Sequence, residues 1–185
     1  MTAQRMSADP WGRFPSRITP HTSPDRSRAA WCYGDPGVAA TLWSAAARLG
    51  LDVSLARETA RDAAARPAET CGVVDAGLCH GAAGLAHLMN RYYQASRDTA
   101  FADAARTWLM RAIELVRPDG FGGIAAWHGD RSATPWQPNA SFLEGAIGVA
   151  LTWLAAVQAI EPCWDRLLLC DLPTEDTAHG TDQAA

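Results

Sequence analysis

Hydrophobic and polar positions follow two different regimes along this chain. Residues 1–27 are rich in Pro, Ser, Thr and Arg and show no periodicity, which predicts a loop or disordered lead-in. From residue 28 onward, Ala- and Leu-rich runs with helical patterning recur over residues 38–49, 53–65, 85–93, 99–116 and 149–160. Three of these runs start just after a Gly-x-x-Gly: Gly34/Gly37, Gly81/Gly84 and Gly145/Gly148. The motifs are spaced by 47 and 64 residues, which suits a repeated helical hairpin with the second copy lengthened by a loop. That loop, residues 117–141, is rich in Gly, Pro and Trp. Residues 171–185 read as a solvated, flexible tail. The predicted organisation is a lead-in (1–27), one helical unit (28–170) and a tail (171–185).

Glycine at the head of a helix lets backbones approach closely at a crowded centre. The first N–H groups of such a helix are expected to remain free for water, a ligand or a capping side chain. The plainer role of these glycines is tight helix packing. Asp35 and Glu144 lie near helix starts, where acidic side chains suit the dipole, and read as capping residues.

Composition narrows the class. The chain has 185 residues, 48% of them hydrophobic, enough for one core of ordinary size. Abundant Ala and few β-branched residues favour an all-α fold. A net charge of −4 leaves no basic footprint, and no nucleic-acid-binding motif is present. The N-terminus is polar, with Arg5, Asp9 and Arg13, and lacks the apolar core of a signal peptide. The longest apolar stretch, residues 145–157, is too short to span a bilayer. A cytoplasmic location is expected. Five cysteines, an odd number, argue against a disulfide framework.

Two of those cysteines carry the chemistry. Cys32 and Cys79 each stand two residues before a Gly-x-x-Gly, and His80 follows the second. Taken alone, free cysteines are more often buried and inert. Equivalent positions in a repeat, however, can converge on one ion. Two thiolates and an imidazole supply the three protein ligands of a zinc site with one open position. Soft sulfur selects zinc over magnesium or calcium. Adjacent Cys79 and His80 cannot share one face of a regular helix, but an irregular turn before the helix can aim both inward. The ligand set leaves Zn2+ formally neutral, and an incoming third thiolate would make the site electron-rich.

The segments carrying these residues resemble the lanthionine synthetase C-like family, which includes the cyclases of lantibiotic biosynthesis. The matching stretches are residues 28–37 (RAAWCYGDPG), 77–86 (GLCHGAAGLA) and 141–151 (SFLEGAIGVAL), with a closing strip at 164–169 (WDRLLL). The resemblance implies an α/α toroid of seven helical hairpins around a central zinc ion, of which this chain holds about three to four. It implies Cys32, Cys79 and His80 as zinc ligands. It also implies active-site roles for Arg28, which would orient the substrate or neutralise developing charge, and for Tyr33, as a proton donor or a hydrogen-bonded wall of the site. The implied reaction closes thioether rings: a peptide cysteine adds to dehydroalanine or dehydrobutyrine in the same dehydrated precursor peptide. The enolate formed is then protonated at its α-carbon, which requires a positioned acid.

The family pattern extends beyond this chain. Its acid/base histidine belongs to an upstream repeat, and only 31 residues precede Cys32 here. His21 lies in a loop-like context, and neither it nor His87 nor His128 is assigned the role. The expectation is therefore a cyclase that is incomplete as a lone chain. The alternative is a non-catalytic zinc-binding or peptide-binding fragment. Either would need a partner chain for the missing repeats, and a dehydratase is a further expected partner. Trp127, Trp136 and Phe142 either line a peptide groove or pack the long loop.

Overall fold

The computed structural model describes residues 12–21 and 26–174. Five helices form the body of the fold: α1 (Asp35–Arg48), α2 (Ser54–Ala65), α3 (Ala82–Ser96), α4 (Thr99–Glu114) and α5 (Ala146–Val157). Single 3₁₀ segments lie at Ala68–Thr70 and Cys163–Leu168. The long loop contains a small antiparallel ribbon, β1 (Ala125–Trp127) with β2 (Trp136–Pro138), in which Trp127 stands opposite Trp136. Apart from this ribbon the fold is helical, as the sequence pattern predicts.

α3 is the spine of the molecule. Every residue from Ala82 to Met89 is buried, because its small residues admit neighbours on all sides. α1 and α5 flank it in an inner row, while α2 packs on α1, and α4 on α3 and α2, as an outer layer. The two rows meet around Tyr92, whose ring stacks on Trp43 at 5.6 Å and lies 5.2 Å from Phe101. The Tyr92 hydroxyl donates to the Pro36 carbonyl, which fixes the start of α1 against the middle of α3.

The Gly-x-x-Gly motifs work through close approach. A Cβ on Gly37, Gly84 or Gly148 would fall 1.8, 1.9 or 2.0 Å from the carbonyl oxygen of Trp31, Leu78 or Phe142, in each case six residues earlier. The chain thus folds back over the head of each helix in the same way three times. The turn also pairs the helix N–H groups. Ala82, Ala83 and Gly84 donate to the carbonyls of Asp75, Ala76 and Gly77 at 3.0, 3.2 and 3.3 Å. Gly37 donates to Ala30, and Ala146 to Asn139, over the same seven-residue step. The expectation that these N–H groups stay free for a ligand is therefore corrected: the preceding turn satisfies them.

The lead-in also makes contacts. The main-chain N–H groups of Arg13 and Phe14 donate to the Asp35 carboxylate at 2.9–3.0 Å, and the Arg13 guanidinium meets Asp62 on α2. Asp35, in the first turn of α1, thus anchors the chain before it; the capping expected of Asp35 and Glu144 is corrected, since no side chain caps α1 or α5 by a hydrogen bond.

Candidate metal centre

The three inner helices converge at their N-terminal turns, and the backbone of Cys79 joins all three. Its carbonyl accepts from the N–H of Trp31 at 3.1 Å and of Cys32 at 3.4 Å, and its own N–H donates to Leu143 at 2.8 Å. With the first and second turns joined in this way, the Sγ atoms of Cys32 and Cys79 and a ring nitrogen of His80 lie within 4.8 Å of one another. Among the described residues this is the one cluster of three or more metal-donor side chains. A tetrahedral zinc ion with ordinary Zn–S and Zn–N bonds needs donors separated by about 3.6–3.8 Å. Donors no more than 4.8 Å apart, two of them soft sulfur, fit the ion. Cys32 is exposed while Cys79 and His80 are half-buried, so the cluster has one side open to a ligand from solvent.

Without a metal the trio shares protons. The Cys79 thiol donates to the Cys32 sulfur and, with His80 beside it, holds the Cys32 thiol down to about 5. The same hydrogen bond pushes Cys79 up. His80 is raised, chiefly by its hydrogen bond to Cys32, with Asp75 assisting and Arg28 opposing. The centre is thus a thiolate already facing two donors. The other buried thiols differ: burial pushes Cys71 up to about 11 and raises Cys170 further.

Tyr33 directly follows Cys32, and the Arg28 guanidinium carbon lies 5.8 Å from its ring centroid. Arg28 and Tyr33 both line an open cavity of about 450 Å³ together with Ser16, Arg66 and Gly72. The other aromatic candidates make internal contacts. Trp127 and Trp136 pack across the ribbon at 5.0 Å, and Phe142 meets Trp164 edge-on at 5.8 Å. His21 and His128 are exposed. His87 is buried on α3, where its Nε2 lies 2.9 Å from Asp165.

Two buried carboxylates escaped the sequence reading. Buried Asp75 accepts from Gly77 N–H at 3.1 Å and from Trp127 N–H at 3.0 Å, tying the ribbon to the turn that bears Cys79 and His80. Fully buried Asp165 lies in the 3₁₀ segment near the C-terminal end. An acidic residue two positions before a glycine turn is a weak signal for Asp75. Asp165 lies within the WDRLLL strip, but its sequence gave no indication of its partners.

The fold and the cluster define a class: part of an α/α toroid that gathers a Cys-Cys-His donor set where its inner helices begin. The family model for lanthionine synthetase C-like protein matches residues 4–169, and the chain belongs to that family. Among solved structures, nisin cyclase superposes with a TM-score of 0.59 at 23% sequence identity. That match covers 80% of this chain and 33% of nisin cyclase, so the chain spans about a third of the relative's length. The likeness establishes the shared fold.

Proposed function

We propose that this chain is the zinc-binding portion of a lanthionine cyclase-like enzyme acting on a dehydrated precursor peptide. The convergence of Cys32, Cys79 and His80, from two repeats 47 residues apart, is the observation that carries this reading. A bound Zn2+ would supply the positive charge that keeps a substrate thiol deprotonated near neutral pH. The open side of the trio, flanked by Cys32, leaves room for that sulfur.

The reaction forms one C–S bond. The peptide thiolate attacks the β-carbon of a dehydroamino acid, and the C=C pair moves onto the carbonyl as an enolate. A proton then reaches the α-carbon, so the elements of S–H add across the double bond. Arg28 would neutralise the enolate oxygen, the role the family resemblance gives it. The Tyr33 ring, which lies under the Arg28 guanidinium, forms the wall that orients it. The expected partners are a chain supplying further hairpins and a dehydratase upstream in the reaction sequence. Thiol ligands suit a reducing compartment such as the cytoplasm. No described helix is long and apolar enough to cross a membrane.

Metal analysis of the purified chain tests the reading, with Cys32→Ala and Cys79→Ala alongside. About one zinc per chain, lost in both variants, is the expected result. A soluble, folded wild-type chain without zinc overturns it. Thioether formation from a dehydrated peptide by this chain alone would assign a complete cyclase.

A further inference from the structure

We propose that the 3₁₀ segment Cys163–Leu168 is a positioning element for the metal ligands, with Asp165 and Trp31 as its working contacts. The proposal rests on the zinc reading above. This short segment touches all three inner repeats. Its Leu168 carbonyl accepts the Trp31 indole N–H at 2.8 Å. Trp31 directly precedes ligand Cys32, and its main-chain N–H is bonded to the carbonyl of ligand Cys79. Asp165 faces α3, where its Oδ2 lies 2.9 Å from His87 Nε2 and 3.1 Å from Arg91 Nε. Arg91 also donates to the Cys170 carbonyl at 3.1 Å, just past the segment. The Trp164 ring covers His87 at 4.6 Å and meets Phe142 edge-on. Phe142 is one residue before Leu143, whose carbonyl accepts from Cys79 N–H.

The chemistry of these contacts indicates their purpose. A carboxylate only accepts, so His87 carries its proton on Nε2 and donates it to Asp165. Asp165 is 0% exposed and His87 2%. A buried carboxylate is costly to desolvate, and apolar packing would join these elements with less penalty. A charged pair adds direction: two donors on successive turns of α3 fix where Asp165 sits along the helix. That sets the height of the Leu168 carbonyl, which sets Trp31 and with it the separation of Cys32 from Cys79. The segment thus acts on the first ligand from one side while holding the helix that follows the other two.

The test uses the whole chain and reads metal affinity separately from stability. Zn2+ affinity is measured by chelator competition, and the thiolate-to-metal charge-transfer band is recorded with Co2+, for wild type, Asp165→Asn and Trp31→Phe. Phe101→Leu is the control, a core change between α3 and α4 that lowers the thermal midpoint without touching the segment. Affinity is expected to fall about ten-fold in both segment variants, with an altered cobalt band. Phe101→Leu is expected to keep wild-type affinity and spectrum. Wild-type binding in both segment variants, or an affinity that simply tracks the thermal midpoint across all three, overturns the positioning role. If Asp165→Asn does not fold, Trp31→Phe decides, since it removes one N–H and keeps an aromatic ring. A wild-type chain that takes up neither metal fails the zinc reading itself, and the positioning role falls with it.

Discussion

At Cys32 and Cys79 one hydrogen bond separates two thiols of the same kind. Cys32, accepting from Cys79 and His80, is drawn down to about 5, while Cys71, buried beneath the Arg66 and Pro67 carbonyls, is pushed up to about 11. A lowered thiol is ionised above its own value, so metal-free Cys32 is thiolate at pH 7 and Cys71 is not. With exposed Cys163 replaced by Ser, iodoacetamide at pH 7 should therefore modify Cys32 and spare Cys71, as mapped by mass spectrometry. The rate at Cys32 should hold down to pH 6 and fall as pH passes below about 5. Zn2+ should protect it. A Cys32 that begins to react only near pH 9 would show that the donors do not meet. These two candidate donors were legible in the sequence because a repeat placed them at equivalent positions. Asp75 and Asp165 were not, because their partners lie 52 and 78 residues away on other elements. Nothing in the local pattern distinguishes a buried carboxylate from a surface one.

The same limit operates at the level of elements, with a different physical cause. All five helices were predictable from periodicity, but α1, α3 and α5 each begin about three residues before the patterned run. The Gly-x-x-Gly itself forms their first turn. The ribbon was missed because strands of three residues are too short to show alternation. The glycines were expected chiefly to allow tight helix packing; their closest contact is instead the carbonyl six residues earlier in the preceding turn, and the pairing of helix N–H groups with that turn was not foreseen. That pairing predicts where the fold tolerates no side chain. Gly84→Ala puts a methyl group 1.9 Å from the Leu78 carbonyl, next to the turn that carries Cys79 and His80. The turn has to open to admit it, so we expect a loss of at least about 3 kcal/mol in urea unfolding, the upper end of ordinary overpacking. Gly50, at a φ of +65° with no neighbour within 4 Å, is the contrast. There Ala should cost only the strain of a left-handed residue, about 1 kcal/mol. Equal losses at the two sites would remove close approach as the reason for the motif.

Across the whole molecule, the candidate metal centre lies where three separate turns meet, so metal binding there should be felt throughout the fold. A ligand that binds only the folded state at 100 times its dissociation constant adds about 2.7 kcal/mol of stability. Zn2+ should thus raise the thermal midpoint of the wild-type chain, and Cys79→Ala should abolish the rise. The inner row of helices also has two outer flanks, and both carry exposed apolar side chains. On α5, Ile147 is 52% exposed and Val157 79%, with Leu154 exposed between them, and Leu42 is exposed on α1. Exposed apolar side chains along one helix face mark a contact surface. The superposition on nisin cyclase covers 33% of that relative, leaving most of its length unmatched by this chain. A chain carrying the upstream hairpins of a full-length family member should therefore co-purify with this one when the two are co-expressed. Ile147→Glu combined with Val157→Glu should abolish co-purification by placing two charges on the α5 surface. Zinc content should stay at the wild-type level, because both residues lie outside the donor cluster. Co-purification that survives the double substitution would place the interface elsewhere. Zinc lost along with the partner would mean that the added hairpins help to hold the site, and that the three turns do not hold the donors by themselves.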